Sequence, residues 1–148
     1  AVQNGAKIAV PNDGSNEARA LYLLEAQGLF TVDHAAGFAA TVLDITENPK
    51  NIEIIELDAD KIPSAVGDVD LAVINGNYAI AAAINNTVLT QEDAASESAT
   101  TYANVLAVRA GDETRPEILA LIKALQSDEI SKFIKDKYQG SVVPMAGK

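Results

Sequence analysis

Apolar positions along this chain fall into two spacings: short continuous runs, and stripes recurring every three or four residues. Lys7 to Val10 is a short apolar run closed by Pro11-Asn12-Asp13-Gly14, where proline removes a backbone donor and asparagine and glycine favour a turn. Ala20, Leu21 and Leu24 then recur at helical spacing up to Gly28, with Ser15 or Asn16 available as N-cap and Glu17 in the first turn. The reading is strand, tight loop, helix.

Ala39 to Ile45 is a less regular strand candidate, followed by a turn at Glu47-Asn48-Pro49-Lys50-Asn51 and an isoleucine-rich strand from Ile52 to Leu57. A short helix from Lys61 to Val66 takes Pro63 in its first turn, and Asp68-Val69-Asp70 leads into a strand from Leu71 to Ile74. Asn75-Gly76-Asn77 breaks that strand, and Tyr78 to Ile84 is expected to be helical. Strands alternating with helices predict an α/β fold with a parallel sheet covered by flanking helices.

Asn85 to Thr101 is polar and acidic and has the length of a connection, so a hinge or boundary is expected there. Beyond it, Tyr102 to Arg109 is expected to be a strand. Gly111-Asp112-Glu113-Thr114 is expected to cap a helix with Pro116 near its first position, whose buried stripe is Ile118, Leu121, Ile122 and Leu125. Ser127 caps a second helix with Ile130, Phe133 and Ile134 on its apolar face. No internal repeat is detectable.

Composition narrows the function. The chain has 148 residues, 48% of them hydrophobic, which suits one folded domain. A net charge of −10, with the eleven basic residues dispersed and only three Phe and four Tyr, argues against a nucleic-acid partner. The longest apolar run, Tyr78 to Ile84, falls far short of the roughly 20 residues a bilayer span needs. There is no cysteine, so disulfides and thiolate chemistry are excluded. The chain starts at Ala1 without a basic-then-apolar leader, as a processed or trimmed product would.

Catalytic signatures are not visible. His34 is the sole histidine, which argues against a catalytic triad or a multi-histidine metal site. The pairs Asp58/Asp60 and Asp68/Asp70 are not extended into a calcium loop, and Gly14 stands alone after the first strand, so neither a metal nor a nucleotide cofactor is expected. No enzyme is expected.

Polar residues at the C-terminal ends of the strands remain, where open α/β sheets place their ligand crevice. Arg19, expected in the first turn of the helix after the first strand, near its free N–H groups and the positive end of its dipole, could grip a carboxylate bidentately, or be a solvated helix arginine. Asn75 ends the strand Leu71 to Ile74 and can donate and accept to the charged ends of an amino acid, or serve the turn alone. Asn104 sits within the predicted strand from Tyr102, an unfavourable place for an amide unless something polar faces it.

The segments Lys7-Ile8-Ala9-Val10-Pro11-Asn12-Asp13, Asn16 with Arg19-Ala20-Leu21, Glu47-Asn48-Pro49-Lys50-Asn51 and Asp70-Leu71-Ala72-Val73-Ile74-Asn75-Gly76-Asn77-Tyr78-Ala79 together resemble the NlpA-type methionine-binding lipoproteins of bacterial ABC importers. Tyr102-Ala103-Asn104-Val105, Ala124-Leu125-Gln126-Ser127-Asp128-Glu129 and Val142-Val143-Pro144 carry the resemblance through the chain. It implies a two-lobed fold of the periplasmic-binding-protein type II kind that closes on its ligand and delivers it to a membrane permease. It also implies an extracytoplasmic, lipid-anchored address. Ligand contacts carried over by motif are Asn16, Arg19, Asn75 and Asn104, for methionine or a related small amino acid or short peptide. Residues 1–87 then form most of the second lobe and 88–101 the connection, while 102–148 hold a strand and helices that complete the first lobe.

Members of that family begin with a long first-lobe segment, including aromatic ligand contacts, that this chain does not show. The expectation is half a site, together with apolar faces that invite dimerisation, strand exchange or a companion fragment. The alternative to solute capture is a structural or interaction module that binds no ligand.

Overall fold

The structure, a computed structural model, describes residues 1–84, 87–93, 101–138, 140 and 142–145. Two compact units divide the chain, Ala1–Glu92 and Asp93–Lys148.

In the first unit, β1 (Lys7–Pro11) is the central strand of a three-stranded parallel sheet, flanked by β4 (Glu53–Leu57) and β5 (Leu71–Ala72). Register pairs Ile8 with Ile54 on one side and with Leu71 on the other. Ile8, Ala9 and Val10 are all fully buried, so both faces of β1 are covered as well as both edges, which suits a continuous apolar run rather than an alternating one. Helix α1 (Gly14–Ala26) covers one face through Ala18, Ala20, Leu21 and Leu24, which join Ile8, Val10, Leu29, Phe30 and Val32 in the core. Gln27 caps the helix and Gly28 leaves it at φ +71°, a left-handed conformation that glycine adopts at no steric cost.

A smaller antiparallel pair, β2 (Thr31–Val32) and β3 (Ile45–Glu47), encloses the next segment. Ala39 to Ile45 is not a strand: two 3₁₀ segments, His34–Ala39 and Val42–Asp44, occupy most of it. The reason is local. Asp33 accepts from the Ala35 amide and Thr41 forms a reciprocal capping box with Asp44, so side chains satisfy the backbone groups a ladder would have used. Helix α1 holds this segment from outside, because Tyr22 donates to the Gly37 carbonyl at 2.6 Å and stacks on His34, while Glu25 accepts from the Val32 amide and meets His34 at 2.7 Å.

Helix α2 (Ile62–Ala65) carries Pro63 in its first turn as expected. Helix α3 (Gly76–Ala81) starts directly after Asn75, earlier than Tyr78. Strand β5 is shorter than the apolar run Leu71 to Ile74, although the Val73 amide still donates to the Ala9 carbonyl. Part of the polar stretch from Asn85 to Thr101 lies outside the described residues.

The second unit contains α4 (Pro116–Leu125) and α5 (Asp128–Tyr138). Ser127 caps α5 by accepting from the Ile130 amide at 3.3 Å. The strand predicted from Tyr102 to Arg109 does not form. Its β-branched composition favours extension, but extension becomes a strand only beside a hydrogen-bonding partner, and the described residues of this unit contain no other strand. The predicted stripe is not buried either: Ile118 and Ile122 are half-buried, while Leu121 and Leu125 are exposed. No helix among the described residues is long and apolar enough to cross a membrane.

Candidate functional site

Three candidate residues of the first unit gather where β1 and β5 end. The N-cap of α1 is Asp13, not Ser15 or Asn16: its Oδ1 accepts the Asn16 amide at 3.2 Å, so the helix begins at Gly14. This places Asn16 in the first turn and Arg19 in the second, past the free N–H groups. Arg19 and Asn16, three residues apart, share a face of the helix. Asn75 reaches the same place from the sheet, donating through Nδ2 to Asn16 Oδ1 at 2.9 Å.

Asn75 occupies the N-cap of α3, where an asparagine side chain ordinarily accepts a backbone amide one turn on. It makes no such bond. Its Oδ1 is buried and accepts nothing from the described residues. A buried acceptor left unpaired costs about 1–3 kcal/mol, so turn chemistry alone does not account for this side chain.

The half-buried guanidinium of Arg19 donates to the carboxylate of Glu92. It therefore sits where it engages a carboxylate, the chemistry its fork geometry suits. Nearby, Asn12 Nδ2 donates to Asp58 Oδ1 at 3.0 Å, tying the ends of β1 and β4 together. Among the described residues no cluster of three or more His, Asp or Glu side chains is placed to hold a metal ion.

Asn104 belongs to the second unit and is exposed in an irregular segment, not set in a strand. A concavity of about 350 Å³ lies elsewhere, at the N-terminal edge of the strands beside Ala6, Asp70, Leu71 and Leu89. Asp70 accepts the Lys7 amide there at 2.8 Å.

Sequence reasoning passed over three acidic residues that shape this region. Asp13 stands three positions before Asn16 in a turn motif, a capping distance that could have flagged it. Glu17 looks like a first-turn surface charge, yet it is buried and accepts the Val42 amide at 3.0 Å. Burial, and secondarily repulsion from Glu56, Asp44 and Asp13, pushes its carboxyl above the ordinary range despite that hydrogen bond. Glu92 had no local signal at all.

An Arg and two amides at the C-terminal edge of a parallel sheet are side chains of the kind with which open α/β sheets hold small polar ligands. The chain belongs to the NlpA lipoprotein family, whose model it matches over residues 1–146. It is 41% identical to the membrane lipoprotein TpN32 of Treponema pallidum over 96% of this chain and 52% of that one. It is 34% identical to the D-methionine-binding lipoprotein MetQ of Escherichia coli K12, again over 96% and 52%. In three dimensions it is similar to a nutrient-binding protein from Burkholderia cenocepacia solved bound to methionine, with a TM-score of 0.86 and 49% identity over 96% of this chain and 59% of that one. The fold is thus that of the methionine-binding substrate-binding proteins, and the chain spans about half the length of the curated relatives it matches.

Proposed function

We propose that this chain forms part of an extracytoplasmic solute-binding protein that captures methionine, or a related small amino acid or short peptide, and delivers it to an ABC permease. It is a binding protein, not an enzyme. The observation that carries the reading is the Asn16–Asn75 hydrogen bond past the strand ends, with an amide oxygen of Asn75 buried and unmatched among the described residues, and with Arg19 three positions on from Asn16 along the same helix, its guanidinium engaging a carboxylate. Arg19 grips the ligand carboxylate, and Asn16 and Asn75 orient its polar end. Asn104 supplies a further amide.

Family membership and relatives named for methionine support the ligand class. On the same reading residues 1–87 belong to the second lobe, 88–101 to the connection and 102–148 to the completion of the first. The family's name supports a lipid-anchored address.

Isothermal titration with L-methionine tests this. The expected result is saturable heat that Arg19→Ala and Asn104→Ala each abolish or weaken by about tenfold or more, the worth of one charge-assisted contact. Silence from the folded wild-type chain, or binding by both variants as tight as that of the wild type, overturns it.

A further inference from the structure

We infer that Asp13 is a positioning residue that sets which end of the Asn75 amide faces the ligand, and so selects ligands that present a hydrogen-bond donor beside their carboxylate. This deepens the proposed function and rests on it.

An asparagine amide can turn over, exchanging its oxygen for its NH₂ group, and nothing in its shape decides between the two. A carboxylate decides, because in its ionised form it only accepts. Asp13 accepts from Asn16 Nδ2 at 2.9 Å through Oδ1 and at 3.1 Å through Oδ2. The NH₂ of Asn16 is thereby held toward Asp13, and its Oδ1 is turned away. That oxygen accepts from Asn75 Nδ2 at 2.9 Å, so the NH₂ of Asn75 is held toward Asn16 in turn. The atom of Asn75 left over is Oδ1, an acceptor, buried and unmatched among the described residues.

The direction of this relay is fixed from its acidic end. Were Asn16 reversed, both hydrogen bonds from its Nδ2 to Asp13 would be lost and its oxygen would face the carboxylate instead. A free acceptor calls for a donor, and the α-ammonium group of an amino acid is the strongest one available next to a carboxylate held by Arg19. A 2-oxo acid, which offers only acceptors, is rejected by the same atom.

The test compares L-methionine with 4-(methylthio)butanoate, which keeps the carboxylate and thioether and lacks the ammonium. Two variants keep the helix cap: Asp13→Asn, nearly isosteric and an equally good N-cap, and Asp13→Ser. Neither enforces the direction of the relay. In the wild-type chain methionine binds more tightly than the analogue by roughly tenfold or more. In both variants that ratio falls by about three- to tenfold while affinity for the analogue is retained. A ratio that does not change, or a loss shared equally by the two ligands, overturns the inference.

Binding of neither ligand by the folded wild type overturns the proposed function instead. Side-chain amide NMR then decides the relay by itself. The Nδ2 protons of Asn16 and Asn75 are expected to be protected and separately shifted in the wild type and released in Asp13→Asn; identical spectra sink the relay.

Discussion

Glu92 places its carboxylate on the guanidinium of Arg19, 73 residues away along the chain. The group proposed to hold a ligand's carboxylate thus already holds one from the protein itself. Ligand entry then has to displace Glu92, and the pair's stability is subtracted from affinity. Glu92→Gln is expected to tighten methionine binding by about two- to fivefold, the range of a partly exposed ion pair. Titration of both forms checks this, and weaker binding by the variant would assign Glu92 a supporting role in the site.

Glu17 supplies a pH dependence with a definite sign. Its folded-state pKa is raised, so the folded chain holds the proton more tightly than the unfolded one. Its contribution to stability is therefore fully present below the unfolded carboxylate pKa and is lost as pH rises through the folded value. Glu17→Gln, which can still accept the Val42 amide, is expected to be at least as stable as wild type at neutral pH. As pH falls into the window just above the ordinary carboxylate range, wild type gains on the variant. Thermal melts of both proteins across that window would refute this if their difference stays constant.

Leu21 and Ile8 are fully buried, where α1 meets β1. Leu21→Ala is expected to cost about 2–5 kcal/mol, as truncation of a packed core leucine does. Chemical denaturation measures it. A loss under about 1 kcal/mol would mean that the helix is not packed on the sheet in this way.

Leu121, Leu125 and Phe133 are 42%, 52% and 52% exposed. Apolar helix faces of this kind seek cover. The chain is expected to self-associate, with a mass by light scattering that rises with concentration, and Leu125→Lys with Phe133→Lys should shift it toward monomer. A compact monomer at all concentrations contradicts this.

The elements that could be read in advance were those whose cause is local. The turn signal Pro11 to Gly14 spans the change from β1 to α1, although Pro11 still belongs to the strand and Gly14 already to the helix; Gly28 follows the end of α1, and Ser127 caps α5. Asn75 reads in the sequence as the end of a strand running to Ile74; the strand stops at Ala72, and Asn75 is instead the N-cap of α3. What failed depended on partners distant in sequence. Tyr102 to Arg109 has the composition of a strand but pairs with no strand among the described residues of its unit, and Leu121 and Leu125 have the spacing of a buried stripe but are exposed among the described residues. Glu17 looked solvent-facing because its burial is decided by the segment around Val42. The Arg19 contact with Glu92 lies beyond any local pattern.

Asp13 Oδ1 accepts both the backbone amide and the side-chain amide of Asn16. One oxygen therefore starts a helix and takes part in orienting an amide two links away. Selection for thermal robustness alone would preserve a helix cap at this position, which asparagine or serine provides as well as aspartate does. A lineage that had stopped binding anything would therefore be free to exchange the three, whereas the amide relay tolerates only the residue that accepts and never donates.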